Sequence, residues 1–324
     1  MDPSEPGHRV GVIGLGAIGR VMLANMARHP RFEVVGAWDP DAATCDAVRA
    51  AHPDVAIADG ADDLIAGAET SVVYIASPPA SHGAYVRAAA EAGKGVYCEK
   101  PLGVDVAASR ELVAFVEASG VPTAINFNHG NAAASTFVET QLASGEMGEV
   151  AGVDIFIHLT EWPRAFQKHA RWLEGRAQGG FVREMLSHWF YLTRRLLGEG
   201  EIVRAAVHYP PDPELAETRV VAELSFGGVP TVVNAACGGA GPVGTEYTVW
   251  GSRKSYRMRS GGRLDSSDGG PWQPELTEIE DPSETDHRRN LDAAAERFAG
   301  APVKLPDLRD GLAVQELIEA LLAS

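Results

Sequence analysis

The chain has 324 residues and a formal charge of −16, with 45% hydrophobic and 22% charged residues, enough for two domains with separate cores. That charge speaks against a nucleic-acid partner, whose phosphates call for clustered Lys and Arg. Cys45, Cys98 and Cys237 are too scattered for a disulfide framework or a zinc site, and no apolar run approaches membrane-spanning length. The expectation is a cytoplasmic protein with no metal, no membrane partner and no nucleic acid.

Apolar runs predict strands at 10–14, 33–38, 55–58, 71–77, 95–99 and 122–127. Helices are predicted between them at 17–28, 42–51, 61–66, 82–92 and 105–119, with stop signals at Pro30, Pro53, Gly93 and Gly120. Such β-α alternation predicts an α/β fold, a doubly wound parallel sheet of the Rossmann kind, over residues 1–128. From 129 to 324 the pattern changes. A helix at 135–144, a strand at 150–159 and a helix at 181–197 are followed by strands at 202–209, 219–226, 230–236, 246–250 and 255–259. Their short connections predict a C-terminal α+β domain with an open, mostly antiparallel sheet. The Gly, Ser and Asp content of 261–274 reads as a surface loop. Helices at 285–299 and 307–322 close the chain, the last placed to pack back on the first domain.

The first strand runs into Gly14-Leu15-Gly16-Ala17-Ile18-Gly19. Each glycine has a separate task on a dinucleotide. Gly14 permits the turn, Gly16 bares the backbone to pyrophosphate, and Gly19 lets the helix lie close to the strand. Phosphates would sit on the open N–H groups near Ala17 and Ile18. Asp39 follows Gly19 by twenty residues, at the end of the second strand, where a carboxylate holds ribose hydroxyls. The same carboxylate would repel a 2′-phosphate, and Arg20 is the only nearby base, so NAD is expected rather than NADP.

Two more segments carry chemistry. Ser77-Pro78-Pro79-Ala80-Ser81-His82 and Glu99-Lys100-Pro101 both follow parallel strands, at the end where open α/β sheets place ligands. Gly179-Gly180 leads to Glu184 and His188, four residues apart and so one turn apart on a helix. With the Phe127-Asn128 pair and the closing Asp310-Gly311-Leu312, these motifs make the chain resemble the glucose–fructose oxidoreductase/inositol dehydrogenase (Gfo/Idh/MocA) family over nearly its whole length.

The resemblance implies an NAD-dependent oxidoreductase acting on a sugar, a polyol or a related small cyclic molecule, with the nicotinamide between two domains. It implies Lys100 as the catalytic lysine, His188 as the acid/base histidine, and Glu184 as a third catalytic residue that either orients His188 or touches a substrate hydroxyl. Ser77, Pro78, His82 and Glu99 would join Lys100 around the cofactor, with a helix-start role an equal alternative for His82. Asn128, Trp162, Arg164, Arg171, Trp172 and Arg183 are weaker substrate candidates, and an arginine among them suits a carboxylate or phosphate. A homodimer or homotetramer built through the C-terminal sheet is also expected.

Three departures from the family pattern imply a reshaped substrate pocket. Glu184 replaces the usual Asp, His129-Gly130 stands where arginines are common, and Leu186 replaces glycine. Alternatives kept open are a keto-sugar or imine reductase, a redox-neutral NAD-dependent enzyme, and a non-catalytic NAD-binding regulator.

Overall fold

The computed structural model describes residues 7–276 and 282–324, apart from the side chains of 282–285; the polar start of the chain, 1–6, lies outside the described residues. The chain forms two compact units, one of residues up to Gly130 with His287–Gln315, the other of Asn131–Asp286 with Glu316–Ser324.

In the first unit β1 (His8–Ile13), β2 (Phe32–Trp38), β3 (Val72–Ile75), β4 (Gly95–Cys98) and β5 (Thr123–Ile125) form a parallel sheet in the order β2-β1-β3-β4-β5. Strands β3 and β4 are buried at every residue, as a sheet covered on both faces requires. The cover includes α1 (Ala17–Arg28), α2 (Ala42–Ala51), α3 (Ala61–Ala66), α4 (Pro79–Glu91) and α5 (Val106–Ser119). Local chemistry sets the helix ends: Asp41 caps α2, Asp105 caps α5, and Gly120 closes α5 in the left-handed region at φ 73°. The strand expected at 55–58 reduces to one bridge, Ala37 to Ile57, because Gly60 turns the chain into α3 three residues later.

The expected second domain, 129–324, differs from the observed division because residues 287–315 return to the first unit. The reason is apolar. Leu291, Ala294 and Ala295 of α8 (Pro282–Phe298), together with Leu305, join the core of Met22, Leu23 and Tyr97. His8 fixes the contact with a 2.8 Å bond to the Ala295 carbonyl. The closing helix, α9 (Leu308–Leu322), gives its first half to one unit and its second half to the other.

The second unit begins with α6 (Ala133–Ala143) and β6 (Val150–Leu159). A π-helical turn, Val182–Leu186, leads into α7 (Ser187–Leu197), then β7 (Gly200–His208), β8 (Arg219–Phe226), β9 (Val229–Cys237), β10 (Gly244–Gly251) and β11 (Ser255–Arg259). Two further strands, β12 (Arg263–Ser267) and β13 (Gln273–Leu276), occupy much of the segment read as a loop. The eight strands run β13-β12-β11-β10-β6-β9-β8-β7, antiparallel except for β6 beside β9. The correction at 261–274 has an electrostatic cause. Asp265, 4% exposed, is held by Arg257 and Arg259 of β11, and Ser266 donates to Glu275, so polar pairs replace the apolar alternation.

One face of this sheet is covered. Val153, Ile155 and Ile157 point into it, and on α7 Trp189 stacks on Tyr247 at 5.1 Å while Phe190 meets Phe226 at 5.9 Å. The other face exposes Phe156, Val221, Val232 and Trp250, mixed with Asp154 and Asn234. No described helix is long and apolar enough to cross a membrane.

Candidate active site

The fingerprint turn is packed tight on its protein side and bare on the other. A Cβ on Gly14, at φ 91°, would lie 2.5 Å from the Ala76 carbonyl carbon and the Ser77 nitrogen, and one on Gly19 would lie 1.9 Å from the Gly14 oxygen. At Gly16 a Cβ would meet nothing within 4 Å. Helix α1 starts there without a side-chain cap and with no acidic residue in its first turn. The first N–H groups, around half-buried Ala17 and exposed Ile18, therefore keep their positive end uncompensated. Asp39, half-buried, accepts the Leu15 N–H on Oδ2 at 2.7 Å and the Asp41 N–H on Oδ1 at 2.9 Å. Each carboxylate oxygen retains accepting capacity for a ribose hydroxyl. These residues fit a dinucleotide.

Beyond β3 the Ser77-Pro78 turn is tied down by Ser81, whose hydroxyl lies 2.8 Å from both Ser77 Oγ and the Pro78 carbonyl, so that it can donate to the carbonyl and accept from Ser77. Beyond β4 come Glu99 and Lys100, 7% and 9% exposed. Glu99 Oε1 accepts Asn126 Nδ2 at 2.6 Å and the Tyr74 hydroxyl, and Tyr97 donates to Asn126 Oδ1 at 2.9 Å. Burial, with Glu99 adding to it, drives the Tyr74 phenol well above its ordinary value, which keeps it a donor. Tyr74 and Asn126 escaped the sequence reading. Their signal was a tyrosine at the paired positions of two otherwise apolar strands, since a buried phenol needs a partner.

His82 stands in the first turn of α4, as its helix-start reading has it. It is 1% exposed, with Nδ1 on the Pro101 carbonyl at 2.8 Å and Nε2 on the Ser77 carbonyl at 2.7 Å, so no ring nitrogen is left for a nicotinamide. Asn128 is exposed in the turn after β5, whereas its neighbour Asn126 is the buried member of the Glu99 network.

In the second unit the helix carrying Glu184 and His188 is not uniform. Glu184 lies in the π-helical turn and His188, 8% exposed, in the first turn of α7; such widened turns recur at functional sites. Glu217, 2% exposed, accepts the Val182 N–H at 2.7 Å at the head of this helix. A Cβ on Gly180, at φ 102°, would lie 2.5 Å from that carboxylate, and one on Gly179 would lie 2.4 Å from the Trp172 and Leu173 carbonyl oxygens, so packing accounts for both glycines. Sequence reading missed Glu217 because it arrives from a distant segment.

Glu184 is met by Gln167 Nε2 at 3.3 Å and by Arg164 Nη2 at 4.0 Å. Arg164 is itself fixed: Nε donates to Gln167 Oε1 at 2.7 Å, and the guanidinium lies over Phe166 at 4.7 Å and Trp162 at 5.9 Å. Burial lowers its pKa and Glu184 opposes that shift. Trp162 donates to the Leu173 carbonyl at 2.8 Å. Arg171 is exposed and Trp172 half-buried on a short turn, Arg171–Glu174. Arg183, a substrate candidate, has its guanidinium engaged within the protein. Its guanidinium is spent on both Glu319 oxygens (2.6 and 2.7 Å) and the carbonyls of Arg176 and Gly179.

Residues 8–127 match the NAD-binding Rossmann fold of an oxidoreductase family, and residues 139–324 match its C-terminal α/β domain. The chain belongs to the Gfo/Idh/MocA oxidoreductase family. Within it, the chain is 30% identical over 216 residues to an inositol 2-dehydrogenase of Burkholderia multivorans, covering 65% of this chain and 60% of that protein. It is 27% identical over 202 residues to a 1,5-anhydro-D-fructose reductase of Ensifer adhaerens, covering 62% and 60%. The match spans only about half the length of several such curated relatives. The WlbA dehydrogenase of Bordetella pertussis, solved with NADH and UDP-GlcNAcA, shares the fold at a TM-score of 0.84 and 22% identity, over 99% of this chain and 96% of that one. Against the Gfo/Idh/MocA pattern the Glu184 departure has a visible support, since Gln167 and Arg164 hold the longer carboxylate.

Proposed function

We propose that the chain is an NAD-dependent dehydrogenase that moves a hydride between nicotinamide and a CH–OH carbon of a sugar, polyol or related small cyclic substrate. The observation that carries this reading is Lys100, buried at the same strand-end rim as the bare fingerprint turn, with Glu99 beside it in a hydrogen-bonded network. The bound nicotinamide supplies the hydride acceptor or donor. Lys100 donates a hydrogen bond to the substrate oxygen, favouring charge on it as the C–H bond breaks. His188 takes the hydroxyl proton in oxidation and returns it in reduction. Glu184, fixed by Gln167 and Arg164, orients His188.

The reductase among the relatives keeps the reducing direction, on a keto-sugar or similar carbonyl, as a second form of the same chemistry. A buried lysine at this rim weighs against a regulator that only binds NAD. The reading includes cytoplasmic residence, supported by three free cysteines. It also includes a homodimer or homotetramer, supported by the uncovered sheet face with Phe156, Val221 and Val232.

The test is a screen for NADH formation from inositols and sugars, and for NADH consumption with the matching ketones. Turnover with a polyol or its ketone is expected. Tight NAD binding with no turnover in either direction would favour the regulator.

A further inference from the structure

Past the ladder bond from the Glu99 N–H to the Ile75 carbonyl, 2.8 Å, strands β3 and β4 part company. After β3 the backbone turns at Ser77-Pro78 into α4, and after β4 it passes through Lys100-Pro101 to Leu102. His82, in the first turn of α4, spans this gap with one ring nitrogen on each side. We propose that His82 is a positioning residue for Lys100: its imidazole clasps the two strand-end turns and fixes where the Lys100 backbone, and so its ammonium, is held. The proposal rests on the role given to Lys100 above.

The chemistry of the clasp makes it stiff. Both partners are carbonyl oxygens, which only accept, while a neutral imidazole donates from one nitrogen alone. With one proton, the second contact sets a ring lone pair against an oxygen lone pair at under 3 Å. With two protons, both contacts are donated, but a cation is then buried beside Lys100. Burial and the Lys100 charge push the ring toward neutrality, and the backbone groups of Ser77, Pro101 and Leu102 pull the other way. In either state the ring cannot rotate without stranding a buried carbonyl. Ser81 ties the same Ser77 turn from the neighbouring position, so that side of the clasp is anchored and the Pro101 side is what the imidazole holds. No other natural side chain presents two opposed ring nitrogens at this length; an amide reaches one carbonyl and an aliphatic chain neither.

The test compares His82→Leu and His82→Gln with the parent chain. The side-chain NMR signals of the five lysines, Lys94, Lys100, Lys168, Lys254 and Lys304, are read together with kcat and KM on the polyol that the NADH screen selects. In His82→Leu the Lys100 signal is expected to move or split while the other four hold. kcat should fall by roughly tenfold to a hundredfold, with KM and NAD affinity nearly unchanged. His82→Gln, which keeps one donor, should restore part of kcat, and its Lys100 signal carries the test if His82→Leu does not fold. An unmoved Lys100 signal with parental kcat in either folded variant would overturn the proposal, as would lost thermal stability with parental kcat. Failure of the underlying reading shows separately, as normal turnover in Lys100→Met.

Discussion

Asp39 reaches back to the fingerprint: its Oδ2 accepts the Leu15 N–H at 2.7 Å, while Oδ1 accepts the Asp41 N–H at 2.9 Å. A carboxylate pinned at both oxygens cannot swing away from a 2′-phosphate, so like charges would meet there at close range. NAD should therefore bind at least about tenfold more tightly than NADP, a difference of roughly 1.4 kcal/mol. Asp39→Ser should narrow that ratio and also weaken NAD, because the Leu15 contact goes with it. Titration of cofactor fluorescence checks both. Equal affinities in the parent chain would mean that Arg20 or another base neutralises the phosphate.

Arg183 and Glu319 form a two-point ion pair, with side chains 9% and 20% exposed. Removing one partner leaves Glu319 and two carbonyls without their donor, and breaking such a pair costs about 3 kcal/mol or more. Arg183→Met should lose stability on this scale in urea unfolding. Parental stability with a raised KM would return Arg183 to the substrate contacts.

Burial raises the Glu217 carboxyl above its ordinary value of 4.5, against the Val182 N–H and Arg183, which favour the charged form. A carboxyl raised on folding binds its proton better in the native chain than in the unfolded one. Its contribution to stability is therefore full below the ordinary value and is lost as pH rises through the raised one. Glu217→Gln keeps an acceptor for Val182 and escapes that loss. The stability of the variant relative to the parent should climb across the weakly acidic range and then level off. A difference that does not vary with pH would contradict this.

The exposed face of the eight-stranded sheet carries Phe156 and Val232, both 46% exposed. Burying these between subunits is the reason to expect a dimer or tetramer. Phe156→Glu should shift the parent assembly toward monomer in light scattering at micromolar concentration. A monomeric parent chain would rule the assembly out.

What the sequence made legible was local. Helices predicted at 17–28, 42–51 and 61–66 coincide with α1, α2 and α3, because an Asp cap, glycines and prolines mark their ends within a few residues. The fingerprint was readable for the same reason. What stayed hidden depends on partners far along the chain. Polar β12 is held by arginines of β11, and Glu217 caps a helix thirty-five positions before it. The return of Leu291 and Ala295 to the first core and the double engagement of His82 are likewise matters of space, as is the diversion of Arg183 to Glu319. A motif can name a residue type at such positions. It cannot say which of its atoms are already spent.

The central claim is that Lys100 and His188 serve one proton-handling step. Its most direct measurement is NAD-dependent turnover of Lys100→Met, His188→Asn and the double variant, with NAD binding and folding confirmed in each. Lys100→Met keeps the stem and removes the charge, and His188→Asn keeps a hydrogen bond and removes the base. Each should bind NAD normally and lose roughly 10²–10⁴-fold in turnover. The double variant should be scarcely worse than either single one, as residues acting as a unit are not additive. Near-parental turnover in folded Lys100→Met, or losses that simply multiply in the double variant, would contradict the account.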